Sequence, residues 1–271
     1  MRNRIVFMLV FLLSVFVLSG CNNTSTTEKK GEEVVESGSK LSQILDEGVI
    51  RVGTTGDYKP FTYLNPDTQE FEGSDIDAAK MLAEDLGVEV EFVQTTWPTL
   101  MEDLLDDKFD IAVGGITRTL ERQKTAHLSK PYLDFGKAAI VRKEDNEKFK
   151  SIDDMNQPDV KVGVNPGGTN EEFVRAYLGD ADITVVENNL EIPGKVAEGE
   201  FDVMITDSIE AILYSNEDDR LFPAFNDDTL TKSQMGYLMP QGEKELHDLV
   251  DLWIDEMKLN DIFKQLEEEW M

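Results

Sequence analysis

From residue 49 onward, short apolar strands alternate with helices of about ten to twelve residues, and the alternation starts afresh near residue 160. A strand that pairs in parallel with its successor needs a crossover between them, so this rhythm dictates βα units rather than hairpins. Val49–Thr54 is strand-like, and residues 75–86 place Ile76, Ala79, Leu82, Ala83 and Leu86 on one helical face. Residues 88–93 return as a strand, residues 97–105 are helical, and a strand over 109–113 runs into Gly114-Gly115. The second set predicts strands over 160–164, 183–186 and 201–205, with helices over 169–178, 190–197 and 207–214. A strand over 236–239 and two helices, about 243–257 and 260–270, complete the chain. Two α/β sets joined by extended crossings near 138–142 and 233–239 predict a two-lobed clamshell with two crossing strands as hinge. The expected lobes are residues 41–138 with 236–271, and residues 139–235. Ligands in such folds bind beyond the carboxyl ends of the strands, where loops of both halves converge.

Ahead of this part, residues 1–20 have the form of a lipoprotein signal peptide. Arg2 and Arg4 give a positive start, residues 5–18 are apolar, and Leu18-Ser19-Gly20 precede Cys21. The apolar run is short for a membrane span. Small residues before a cysteine match bacterial lipoprotein processing, so Cys21 is the expected lipidation point. The plainer alternative is a secretory signal with an incidental cysteine. Cys21 is also the only cysteine, which leaves no pair for an internal disulfide. Residues 21–40, rich in Thr, Ser, Glu and Lys, are expected to be a flexible tether. The implied location is extracytoplasmic, lipid-anchored to a bacterial cell membrane.

The chain carries 55 acidic against 26 basic residues, a net charge of −29. Such an excess argues against nucleic acid as a partner. The acids are scattered along the chain, as on a solvated surface, so a basic residue near a site is informative for an anionic ligand.

One segment stands out. The β-branched run at 162–164 ends in Asn165-Pro166-Gly167-Gly168, and Thr169 then opens an amphipathic helix. That order presents the unpaired N–H groups of a helix start to whatever sits above the strand, a seat for a carboxylate. Glu171 lies in the same first turn, either as a helix-dipole partner or as a proton donor. Four other strand ends carry polar or aromatic groups: Asp57, Tyr58 and Phe61 after the first strand; Trp97-Pro98; Gly115 and Thr117 with Arg122 close behind; and Thr206-Asp207. Each has an ordinary use as well. Trp97 suits a core, Arg122 suits a surface pair with Glu121 or Asp57, and Asp207 suits a helix cap. Gly167-Gly168 suits a plain turn. Their common position at strand ends favours a shared cleft. His127 and His247, the only histidines, are far apart and lack cysteine partners, so neither a metal site nor a histidine triad is expected. Neither a P-loop nor a dinucleotide fingerprint occurs, and no cofactor is expected.

Tyr58-Lys59-Pro60-Phe61, Gly115-Ile116-Thr117, Glu121-Arg122 and Pro131-Tyr132 together resemble the family 3 solute-binding proteins of amino-acid ABC transporters over about residues 41–271. The resemblance implies a type II periplasmic-binding-protein-like fold. It also implies that Tyr58 and Trp97 sandwich a ligand and that Arg122 clamps a carboxylate with the backbone of Thr117 and Thr169. Asp207 would then hold an α-ammonium group. Within that family, residues 54–61, Leu120-Glu-Arg-Gln123, the 164–171 string and Thr206-Asp-x-Ile-Glu-Ala211 are similar to the cyclohexadienyl dehydratases. Gly114-Gly115 replaces a more usual Ser-Gly pair, and Ser74 stands where an aromatic is common. The likeness implies loss of water and carbon dioxide from prephenate or arogenate, giving phenylpyruvate or phenylalanine. In that reading Glu171 is the general acid, with a pKa raised by burial in the closed, ligand-filled cleft. Asp57, Gly115 and Asn170 complete the expected substrate contacts. The alternative is a receptor that hands an amino acid or small carboxylate to an ABC permease. Either way the ligand is small and anionic or zwitterionic.

Overall fold

The computed structural model describes residues 38–271, so the signal segment, Cys21 and most of the tether lie outside the described residues. Regular structure begins slightly before the expected boundary at residue 41. Ser39 caps the helix Lys40–Glu47 by accepting from the Ser42 amide, which satisfies one orphan donor of the first turn. Lys40 is buried, with its ammonium 2.6 Å from Asp107 and 3.6 Å from Asp110.

Two five-stranded sheets carry the fold, one in each half of a bilobed clamshell. In the first, Val49–Thr54 lies in parallel between Glu89–Gln94 and Ile111–Ala112; Leu238–Pro240 and Ala126–Leu128 follow in antiparallel sense. In the second, Lys161–Val164 lies in parallel between Asp182–Val185 and Val203–Asp207, followed by antiparallel Lys137–Arg142 and Leu221–Ala224. Parallel pairing thus holds where helices connect the strands. It fails for Lys137–Arg142, which enters its sheet straight from the crossing with no helix to turn it round.

Strand periodicity sorts side chains to two covered faces. In the second sheet Val203 and Ile205 pack with Phe173 and Val174, while Met204 between them packs with Ile192 and Val196 on the other side. In the first, Ile50, Val52 and Ile111 meet Ala79 and Leu82 of the helix Ser74–Leu86, and Val250 and Ile254 of the helix Lys244–Leu259. Each fully buried aliphatic side chain contributes about 1.5–3 kcal/mol, so both halves have cores of their own.

One of the two crossings lies within its expected range, 233–239, and the other differs from expectation. The crossing segments are Leu133–Phe135 and Ser233–Met235, paired antiparallel with Leu133 opposite Met235. Residues 138–142, expected to cross, form an interior strand with Ala138, Ala139, Ile140 and Val141 fully buried. An apolar run covered on both faces belongs inside a sheet rather than in a hinge. The two histidines, distant in sequence, stack in the first half with centroids 3.6 Å apart and planes 7° apart.

Candidate functional site

Loops at the carboxyl ends of both sheets meet in a small chamber lined by Tyr58, Trp97, Gly115, Thr117, Asn165, Gly168, Thr169, Asn170 and Asp207. Seven of these are expected site residues; Asn165 and Gly168 are additional. The halves are drawn together across it. The Tyr58 hydroxyl donates to Asp207, the hydroxyls of Thr117 and Thr169 lie 3.2 Å apart, and the Asn189 amide donates to the Asp57 carbonyl at 3.2 Å. The remaining space is about 10 Å³, roughly what one water requires. A substrate can enter only when the halves part.

Local sequence explains how each wall is placed. Gly114 and Gly115 have φ of 117° and 72°, a region that L side chains seldom adopt. A Cβ on Gly115 would come 2.7 Å from the Tyr58 ring. Their amides both donate to Asp75 Oδ2, at 2.9 and 2.8 Å, and the Tyr132 hydroxyl adds a third bond at 2.7 Å. Burial pushes the Asp75 carboxyl up to about 6 against those donors. Asp75, which the sequence marked only as the start of a helix, therefore shapes the chamber floor.

Tyr58 and Trp97 meet edge to face, centroids 5.5 Å apart at 79°. With the chamber shut there is no ring between them. Asp57 stands behind this wall, its carboxylate accepting from the Trp97 indole at 3.2 Å. Burial raises the Asp57 pKa, and the indole bond opposes that rise.

Asp207 is the only charged residue in the chamber lining; Arg122, expected there, and Lys137 stand behind it, each hydrogen-bonded to lining residues. Arg122 donates to the Thr117 carbonyl at 2.7 Å, and its ion-pairing capacity is unused among the described residues. Burial pushes its pKa down, with Glu172 and Asp207 only partly offsetting, the signature of a guanidinium short of an anion. Lys137, which sequence reasoning missed, is 4% exposed. Its ammonium donates to Asp207 Oδ1 at 2.6 Å, Asn170 Oδ1 at 2.5 Å and Thr169 Oγ1 at 2.9 Å. Asp207, 2% exposed, thus has one oxygen on Lys137 and the other on Tyr58. The available signal was a lone lysine heading the apolar run Ala138-Ala139-Ile140-Val141. Beneath Asp207, fully buried Glu210 accepts from Thr206 and Asn189, and burial holds its pKa well above the ordinary carboxylate range.

The helix Thr169–Tyr177 starts at the chamber with no side-chain cap, so its first N–H groups remain available to an anion. Asn165, 3% exposed, lines the same space with a buried Oδ1 that has no partner. Glu171 departs from expectation. Its carboxylate accepts from the Gly167 amide at 2.6 Å and from Arg175 Nε at 2.8 Å, and it is absent from the chamber lining. The Gly167 N–H, helped by Arg175, holds this carboxyl below its ordinary value; the expected elevation belongs to the ligand-filled cleft. An arginine one helical turn along supplies the physical reason.

The model for bacterial extracellular solute-binding proteins, family 3, matches residues 50–271. Cyclohexadienyl dehydratase of Pseudomonas aeruginosa is 41% identical over 86% of this chain and 86% of its own length. Among solved structures, an ancestral cyclohexadienyl dehydratase is 55% identical, with a TM-score of 0.55 over 86% of this chain and 97% of that one. An ancestral amino-acid-binding protein, described as a precursor of cyclohexadienyl dehydratase, is 39% identical, with a TM-score of 0.79 over 86% and 99%. Further relatives, 24–30% identical, are binding proteins for cystine, glutamine or arginine. On these grounds the chain belongs to the family 3 bacterial extracellular solute-binding proteins.

Proposed function

We propose that this chain is a cyclohexadienyl dehydratase of the extracytoplasmic space, acting on prephenate in preference to a zwitterionic amino acid. The observation that carries the reading is the seat of Lys137. An α-ammonium ligand needs a free carboxylate, but Asp207 is already matched by Lys137 and Tyr58. With Lys137 offset by Asp207, Arg122 leaves one surplus positive charge, and the uncapped helix start offers a second seat for a carboxylate. The 41% identity to a cyclohexadienyl dehydratase over most of both chains supports the same reading.

The chemistry asks little beyond positioning and one proton. The ring C–O bond breaks and the hydroxyl leaves as water after taking a proton. The bond to the departing carboxylate gives its electron pair to the ring, and carbon dioxide leaves, so one proton is consumed per phenylpyruvate formed. Arg122 and the N–H groups at 169–170 would hold carboxylate, and Tyr58 and Trp97 would flank the ring. Glu171 is the proposed donor, after a substrate carboxylate displaces it from the Gly167 amide and closure strips it of water. Incubation of the protein with prephenate, followed by phenylpyruvate absorbance, tests the reading. Glu171→Gln should then lower kcat by about 10²–10⁴.

The receptor reading, with an amino acid or small carboxylate delivered to a permease, draws on one observation. In the shut state Glu171 is tied to Arg175, and the Gly167 amide holds its pKa below the ordinary value. No turnover of prephenate together with tight binding of an amino acid would replace the enzyme reading with that one.

A further inference from the structure

A second cavity, of about 200 Å³, lies between the last two helices and the loops beneath the cleft. It is many times roomier than the chamber. Phe61, Tyr132, Phe263 and Leu266 give it apolar walls, and the carboxyl groups of Asp75 and Glu267 also line it. Asp75 is 1% exposed, and its three donors all converge on Oδ2. Its Oδ1 receives no hydrogen bond among the described residues. Glu267 makes no ion pair among the described residues, and burial raises its pKa. The two lysines at the rim are directed elsewhere: Lys258 donates to the Pro131 carbonyl at 2.8 Å, and Lys264 reaches Glu268 at 3.7 Å.

An aromatic-walled space lined by Glu267, which has no ion pair among the described residues, and by Asp75 with an open Oδ1 suits an apolar body carrying a positive charge. We infer that this cavity is a second ligand site, separate from the cleft, for a small protonated amine with a flat apolar body. The ammonium reaches Asp75 Oδ1 and Glu267, and the body packs against Tyr132 and Phe263. Because Asp75 also holds the Gly114 and Gly115 amides, an occupant would touch a group that shapes the chamber floor. The inference stands whether the cleft converts its substrate or only holds it.

Calorimetric titration with 2-phenylethylammonium and its neutral counterpart 2-phenylethanol tests it, on the wild type and on Ser74→Phe and Glu267→Gln. Ser74 lines the cavity, so a phenyl ring there should take up part of its space. The amine should bind the wild type at least about tenfold more tightly than the alcohol. Ser74→Phe should weaken amine binding by about tenfold or more, and Glu267→Gln by about threefold or more. If Ser74→Phe fails to fold, the half-buried Glu267 position carries the test alone. Equal affinity for amine and alcohol, no amine binding up to about 10 mM, or affinity unchanged in the variants would each overturn the inference; the last result would place the amine elsewhere on the protein.

Discussion

Replacing Lys137 by methionine removes one charge from the chamber while nearly keeping side-chain length. Lys137 and Asp207 are direct partners across antiparallel strands, with Nζ 2.6 Å from Oδ1 and side chains 5% and 2% exposed. Both strands belong to the second sheet, so the pair persists when the halves open. In Lys137→Met, Asp207 keeps only the Tyr58 hydroxyl, and Asn170 and Thr169 lose their donor. Breaking one side of a buried pair costs about 3–5 kcal/mol, because the remaining charge stays dehydrated. For a folded region of this size each kcal/mol shifts Tm by about 2–4 °C, so thermal melts should fall by about 6–20 °C. Urea titrations should show the same loss without a change in slope. Lys137→Met with Asp207→Asn removes both charges and should recover to within about 2 kcal/mol of the parent, since the two effects couple. In the prephenate assay the single variant should raise KM more than it lowers kcat, because Asp207 is then left uncompensated beside the anionic substrate. A single-variant cost below about 1 kcal/mol, or strict additivity in the double variant, would refute the coupled buried pair and the charge argument for a dianionic substrate with it.

Two further outcomes follow from the same geometry. Gly167 has φ of 79°, and a Cβ there would lie 2.6 Å from the Pro98 nitrogen across the cleft; at Gly168 the nearest atoms are 3.9 Å away. Gly167→Ala should therefore hold the halves apart, enlarging the radius of gyration by X-ray scattering and lowering turnover at least about tenfold, while Gly168→Ala stays within about twofold. Burial first, then the neighbouring His247, lowers the His127 pKa below its ordinary 6.5; Arg118 adds to this, while Asp248 and Asp251 oppose it. The unfolded chain then takes up the proton first as pH falls through 6.5, so folding stability declines below that pH. Melts of His127→Leu should show a shallower decline over the same range.

How far the sequence led depended on what kind of information each feature needed. Strand ends follow from local apolar periodicity, and Tyr58, Trp97, Gly115, Thr117, Thr169, Asn170 and Asp207 were legible because each sits at one. The bilobed fold followed from the repeated alternation for the same reason. Lys137 was not legible, since a lysine at the head of an apolar run is ordinarily its solvated first residue. Only pairing with Asp207, seventy positions along, makes that place buried. Asp75 escaped for a similar reason: its acceptor role depends on two glycine amides about forty residues away. The first crossing was misplaced because extended geometry alone does not separate a crossing strand from an interior one. Burial on both faces does, and that is a property of the packed sheet.

Glu171 shows the reverse case, in which a local rule outweighed a long-range expectation. Arg175 lies four residues on, and Gly167 four residues back, so both partners of the carboxylate were present in the sequence. Together they stabilise its ionised form while the chamber is empty. Any catalytic use of this group must therefore draw on binding energy to break those bonds, and Arg175, 57% exposed, can turn to solvent at little expense. A second carboxylate on the substrate is well suited to do so, because it competes for the same Gly167 amide. On the proposed reading, proton donation would be linked to occupancy: a ligand with one carboxylate would leave Glu171 ionised, and a dianion would release it. On this argument a monocarboxylate analogue should bind without moving the Glu171 titration, whereas a dicarboxylate analogue should raise it, as followed by carbonyl-region NMR of the labelled side chain.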